Sequence, residues 1–311
     1  MKQDTKNWVL LLILSCVWGS SFILMKRGMF TLNGDAIFSD SQVAALRISI
    51  AGIVLLPFAL KSLKQIQSFR EFLLLAIVGL CGNFFPAYLF TFAETGVSSG
   101  YAGMLNSFTP IFSMIIGLLI FKNKLTPIQL LGLFIGTIGI VLLVLSGNSN
   151  DLKMTGSSFH VFAIVLATLF YAISLNTIKY TLQKFKAIEI TALALFIVLI
   201  PSILSAIQLD TLSTIQTNPN ALEGLGFIAV LSIVGTALAL LLFNQLISSS
   251  STLFASSVTY FIPIVAVFIG VGFGEGINIA QVGAMLLVLL GVFIANYWNS
   301  IFKTKKNETL L

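Results

Sequence analysis

One helix design occurs twice in this chain. Between Glu94 and Lys124 the small and polar residues Gly103, Asn106, Pro110, Ser113 and Gly117 recur at spacings of 3, 4, 3 and 4, which is one face of an α-helix. Ile, Leu, Phe and Met fill most other positions. The pattern returns 153 positions later as Ser256, Thr259, Pro263, Ala266 and Gly270. The same offset relates WGSSFILMK (Trp18–Lys26) to YAISLNTIK (Tyr171–Lys179). It also relates Ala76, Gly82, Leu89 and Phe90 to Ala229, Gly235, Leu242 and Phe243. Gln129 with Gly139 and Gln281 with Gly291 keep the register to within one residue. The chain therefore reads as a duplicated helical unit, with residues 1–147 as the first copy, 148–158 as a polar linker and 159–311 as the second copy with a short basic tail.

Composition says what surrounds those helices. Hydrophobic residues make up 57% of the chain, charged residues 9%, and the mean hydropathy is +1.02. A soluble domain carries about a quarter charged residues, so water is not the main solvent here. A membrane helix needs about 20 mainly apolar residues. Ten such runs are counted, near 8–27, 42–60, 72–93, 100–121, 127–146, 159–181, 190–208, 222–246, 252–273 and 279–299. The expected fold is an all-α integral membrane protein of ten transmembrane helices. The first run follows Lys2 and Lys6 but is too long for a signal-peptide core, and no small-x-small cleavage site follows it, so it is expected to stay as the first helix. Cys16 and Cys81 lie inside apolar runs; they give neither a disulfide framework nor a metal set and read as small buried hydrophobes.

Charge sets the orientation. With the N-terminus inside, twelve Lys and Arg fall in inner segments and three (Lys26, Arg27 and Lys153) in outer ones. That bias places both termini in the cytoplasm of a cell's inner or plasma membrane. The basic balance reports topology and contact with anionic lipid, and nucleic acid is not an expected partner. Five helices per copy is an odd number, so the second copy enters from the opposite side. The two copies form an inverted repeat, an architecture that many secondary transporters use.

The order of motifs resembles that of the EamA family of the drug/metabolite transporter superfamily. WGSSF precedes Lys26, Arg47 sits in the second run, and a Gly…Gly…Phe pattern marks the third. Pro…Gly marks the fourth and ninth, and Gln…Gly the fifth and tenth. The resemblance covers residues 8 to about 299. It implies ten helices, a cavity lined by helices one to four and six to nine, and export or exchange of small metabolites such as amino acids. It also places an acidic residue after both the fourth and ninth helices. Glu275 matches, whereas the first-copy position holds Asn123.

Several polar side chains interrupt the apolar runs. Arg47 lies about 6 Å outward of the middle of its helix, where insertion costs up to about 2.5–3.5 kcal/mol. It needs either a pinning contact, to backbone carbonyls or Asp40, or an anionic substrate. Asn83, Asn106, Asn176 and Asn244 cost free energy unless hydrogen-bonded. They serve as glue between helices or as cavity lining, with Asn106 on the small-residue stripe and Asn83 sharing a face with Gly79 and Pro86. Trp18 and Tyr171 are symmetry mates that either cap the cavity or pack. Lys26 and Lys179, also mates, either snorkel or each guard one mouth. Pro110 and Pro263 each free a carbonyl one turn earlier and suit a hinge. Glu94 is the acidic residue nearest the membrane interior, and it stands at a helix end.

No Walker motif, His/Cys cluster, H-E-x-x-H or Asp-rich diphosphate motif is present, so no catalytic residue, metal or cofactor is expected. The expected activity is secondary transport of small organic metabolites, amino-acid-like solutes foremost, by alternating access, as an exporter or exchanger. The alternatives are a membrane enzyme acting on a lipid-linked substrate, a lipid-carrier flippase, a channel and a duplicated scaffold. Small solute and membrane lipid are the expected partners, and a homodimer is left open.

Overall fold

The structure is a computed structural model that describes residues 3–122, 126–146, 158–249 and 258–308. Helices one to eight span Gln3–Met29, Asp40–Ser62, Phe69–Glu94, Ser99–Leu119, Pro127–Ser146, Ser158–Thr181, Ala187–Gln208 and Ala221–Phe243. Each is long and apolar enough to cross a membrane. Helices nine (Val258–Gly272) and ten (Ile279–Glu308) contain shorter apolar stretches, Phe261–Gly272 and Ile279–Ala295. Among the described residues β-structure is limited to one bridge, Phe30 to Ala36. The fold is that of an all-helical, multi-pass membrane protein. Most of the linker, with Asn123, Lys153 and Ser256, lies outside the described residues.

Local chemistry starts the helices. Ser39 and Gln42 form a reciprocal capping box at helix two, and the Ser68 and Ser98 hydroxyls accept backbone N–H bonds from Glu71 and Tyr101. These bonds satisfy amides that a helix start leaves orphaned. The outer surface is apolar, with Leu12, Ile53, Phe134, Leu145 and Ile203 all exposed. In hydrocarbon such residues gain nothing by hiding, so close packing and polar contacts must decide which faces meet.

Close packing decides it between the copies. Helix one packs on nine and eight, and correspondingly helix six packs on four and three. Helix two packs on seven, five on ten and four on nine. Each of these contacts has its counterpart, or is its own counterpart, under the 153-residue offset. At the pair of five and ten, a Cβ on Gly132 would stand 2.5 Å from the Gly291 carbonyl oxygen and 2.6 Å from the Ala295 nitrogen. Only glycine permits this backbone contact.

The structure also departs from plain helices. Helix three is interrupted by a π-helical turn at Leu80–Phe84, and helix eight by one at Ile233–Leu238. The two turns start 153 residues apart. Helix four breaks between Leu105 and Phe108. Pro110 has no N–H to give Asn106, whose carbonyl instead accepts from the Thr109 N–H at 3.1 Å, so the break follows from proline chemistry. A short helix, Thr211–Thr217, joins helices seven and eight and has no counterpart in the sequence expectation. Gln42 Nε2 holds it, donating to the Leu209 carbonyl and to Thr214 Oγ1 at 3.0 and 2.8 Å.

Candidate functional site

The π-helical turn of helix eight takes polar contacts from the first copy. In helix eight, the Gly235 carbonyl accepts from Trp18 Nε1 at 3.1 Å. Next to it, Thr236 Oγ1 accepts from Arg47 Nε at 3.2 Å while donating to the Leu231 carbonyl. The Arg47 guanidinium also meets the Met25 sulfur at 3.5 Å. A π turn inserts one residue per turn, so backbone groups that an α-helix would use internally are freed, and such turns gather at functional sites. Arg47 therefore reaches across to the second copy rather than pinning to Asp40.

The first-copy turn has the same surroundings. A side chain on Gly82 would strike the Ser174 hydroxyl, as one on Gly235 would crowd that of Ser21; Ser21 and Ser174 are again 153 apart. Asn83 is the positional mate of Thr236 and is half-buried. The aromatic neighbours repeat too. Trp18 meets Phe243 edge-on at 5.0 Å, and Tyr171 meets Phe90 at 5.9 Å, with Phe22 edge-on to Phe90 at 5.7 Å. Trp18 and Tyr171 thus occupy equivalent places, each against a phenylalanine of the other copy, Phe243 and Phe90, which are themselves 153 apart.

The amides divide by use. Asn176 Nδ2 donates to the Ser113 carbonyl and hydroxyl and to the Ala172 carbonyl, at 3.1, 3.0 and 2.8 Å. It is buried glue between helices six and four. Asn106 sits in the break of helix four, half-buried, and its Oδ1 accepts from Thr109 Oγ1 at 3.4 Å. The side chain of Asn244 lies outside the described residues.

One end of the bundle is closed by charge. Lys26 Nζ lies 3.1 Å from Glu275 Oε1, which also accepts the Ser99 N–H at 2.9 Å, while Oε2 accepts the Gly100 N–H at 2.9 Å. A loop of the second copy thereby grips both helix one and the start of helix four. Beside it, Glu94 is fully buried, and its Oε2 accepts from the Ser99 hydroxyl at 3.5 Å. Arg27, also buried, pairs with Glu223 at 2.7 Å and lies over the Phe227 ring. Lys179 is exposed above Tyr180, its Nζ 5.1 Å from the ring centroid, and Lys184 pairs with Glu71. Pro263 is buried in helix nine, and Pro110 is half-buried just past the break in helix four.

Sequence reasoning passed over Thr236, Arg27 and the depth of Glu94. Thr236 was within reach, because the offset from Asn83 leads to it. Glu94 was not, since its burial is created by Ser99 and by the second copy's loop folding over a helix end.

An "Uncharacterized inner membrane transporter YedA" of Escherichia coli (strain K12) is 26% identical over 303 residues, covering 95% of this chain and 92% of its own. A "Probable amino-acid metabolite efflux pump" of Salmonella typhimurium is 22% identical over 304 residues, covering 94% and 95%. A solved crystal structure shares the fold at a TM-score of 0.59 and 14% identity, covering 94% of this chain and 97% of its own. The model of the EamA-like transporter family matches twice, over residues 6–145 and 158–297. Those two matches are the two copies read from the 153-residue register, and the chain belongs to the EamA-like transporter family.

Proposed function

We propose that this transporter is a secondary carrier that moves small amino-acid-like metabolites by alternating access between two inverted copies. The observation that supports it most is the matched seam. Trp18 against Phe243 with Ser21 against Gly235, and Tyr171 against Phe90 with Ser174 against Gly82, are two versions of one cross-copy contact. Two quasi-equivalent seams can trade geometries, one loosening as the other tightens, which is how a repeat exposes a central site to each face in turn. The clasp of Lys26 and Glu275 closes one mouth, and Pro110 and Pro263 supply the bends about which the helices swing. The inward or outward sense of the clasped mouth follows from the charge bias, which makes the Lys26 end external and both termini cytoplasmic. The solute class draws on Arg47, on the aromatic rings and on the name of the Salmonella relative.

The test is counterflow in liposomes. Asn83→Leu and Asn106→Leu are each expected to reduce exchange at least about tenfold while leaving the yield of folded protein near normal, since a lining amide contributes only about 1 kcal/mol to stability. Full exchange in both variants refutes a site between the π turn of helix three and the break in helix four.

A further inference from the structure

At the Lys26 clasp, Ser99 joins two carboxyl groups. Its N–H donates to Glu275 Oε1 at 2.9 Å, and its hydroxyl meets Glu94 Oε2 at 3.5 Å. Their surroundings differ. Glu275 lies in a cradle that glycine makes possible, since a Cβ on Gly270 would stand 2.5 Å from its Oε2. There it accepts two backbone N–H bonds and the Lys26 ammonium, the setting of an ionised carboxylate. Glu94 is fully buried, and its Oε1 meets no donor. The single contact of its Oε2 is at the outer limit of a hydrogen bond.

An ionised carboxylate accepts at about four lone-pair sites, and burying one without donors is far costlier than burying the neutral acid. A second negative charge on Ser99 would also face that of Glu275. The Lys26 ammonium does not cancel it, because it is bonded to Glu275. As a neutral acid, Glu94 donates from Oε2 to the Ser99 hydroxyl. Its Oε1 is then a carbonyl-type oxygen, which proteins leave unpaired more readily than a charged one. Lys26, Glu275 and Glu94 together then carry no net charge.

We infer that Glu94 is a proton-binding site, which holds one proton while the Lys26 mouth is shut and releases it to water when that mouth opens. The inference takes the opening mouth from the carrier reading above and adds a ligand, the proton, that controls it. In the release step the carboxyl O–H bond breaks, water takes the proton as hydronium, and Glu94 keeps the electron pair as a carboxylate. Once ionised, Glu94 competes with Glu275 for Lys26, whose ammonium has three donors and uses one on the clasp. Loss of the proton therefore loosens the grip on helix four, and its return restores it. Because the shut form binds the extra proton, acid favours it and rising pH opens the mouth, by at most about tenfold per pH unit. Arg47 on helix two acts on Glu94 electrostatically, as do Lys26 and Glu275, and it stays charged throughout. On helix six, His160 meets Thr95 Oγ1 at 3.3 Å and packs on Phe92 and Gly96, and a histidine titrates in the same range. Tyr101 on helix four donates its hydroxyl to the Leu143 carbonyl and is neutral there.

The experiment uses the purified full-length protein in detergent. At about pH 6, where exposed carboxyl groups are ionised, its infrared spectrum should carry the carbonyl band of a protonated carboxylic acid, and Glu94→Gln should lack it. The wild-type band is decisive even where Glu94→Gln does not fold. For the mouth, Val97→Cys is installed at a buried position two residues before Ser99 and its reaction with a maleimide is followed, the parent serving as blank for Cys16 and Cys81. Dividing its rate by that of Val97→Cys combined with Glu94→Gln at each pH cancels the titration of the thiol itself. From about pH 6 to about pH 8 the ratio should rise about tenfold or more, and His160→Gln should leave the rise intact. A wild-type spectrum without the band, a band that survives in folded Glu94→Gln, a flat ratio, or a rise that vanishes with His160→Gln overturns the inference. Proton-linked opening without counterflow of any solute in liposomes defeats the carrier reading alone. Counterflow without proton-linked opening defeats the Glu94 assignment alone.

Discussion

A carboxylate can spend all its oxygens or keep one unspent, and Glu275 and Glu94, both bonded to Ser99, illustrate the difference. Glu275 spends both oxygens, on Lys26 and on the Ser99 and Gly100 amides; Glu94 keeps one oxygen empty. Hydrogen bonds to a charged group contribute about 1.5–3 kcal/mol each. Glu275→Gln removes the ion pair and leaves one of the two amides facing an N–H instead of an oxygen. The clasped mouth should then open more often, and a thiol at buried Ser99, installed as Ser99→Cys, should react with a maleimide about tenfold faster, since about 1.4 kcal/mol is a factor of ten. An unchanged rate removes Glu275 from the closure. Charge identity was legible in the sequence at this scale, and partner choice was not. Lys26 and Arg27 are adjacent, yet they reach Glu275 and Glu223 respectively, contacts that exist only after helices distant in sequence come together.

At the scale of single elements, the repeat was readable because its register survives as residue identities. The π turns were not, because an inserted residue in one turn leaves an apolar run still apolar. The position of the turn in helix eight makes sense only once Trp18 is seen to use a carbonyl there. The break in helix four was foreshadowed by Pro110, whereas the short helix Thr211–Thr217 was hidden in a polar loop without apolar periodicity. Helices five and ten show the opposite case, in which a glycine seen in the sequence has a purely mechanical part. In Gly132→Leu the added atoms meet Gly291 and Ala295 backbone, which cannot move aside as a side chain can. Overpacking of this sort costs about 1–3 kcal/mol, read as a lowered melting temperature in detergent. Gly226→Ala, with nothing within 4 Å of the new methyl, should melt like the parent; an equal drop in both would mean that the helix five and ten contact is not what fails.

For the whole molecule, the question is which ends of the helices share a face of the membrane. Leu32 is 75% exposed in the loop after helix one, and Lys184 is exposed between helices six and seven. In cells, a cysteine at Leu32 should label only from outside and one at Lys184 only from the cytoplasm. Labelling of both from one side would dismantle the five-plus-five arrangement. The membrane class and the two-copy plan were legible from hydropathy and register alone. The way the copies interleave, with helix one set against eight and nine and helix six against three and four, required coordinates, because lipid-facing and partner-facing leucines look alike in a sequence.

Duplication would make the two doors twins, but among the described residues the bolt of Lys26 and Glu275 has no twin at the matching positions. The position that answers to Glu275 holds Asn123, and Lys179 leans on a tyrosine ring instead of a carboxylate. On the carrier mechanism proposed above, the empty protein should rest with the Lys26 door shut and open to cargo at the other. Where return of the empty form limits turnover, transport that starts from the Lys179 side should show the higher half-saturation concentration, because each cycle then ends with the favoured closing of the Lys26 door. Maximal velocities must shift in proportion, because thermodynamics forbids an unpowered carrier from favouring one direction at equilibrium.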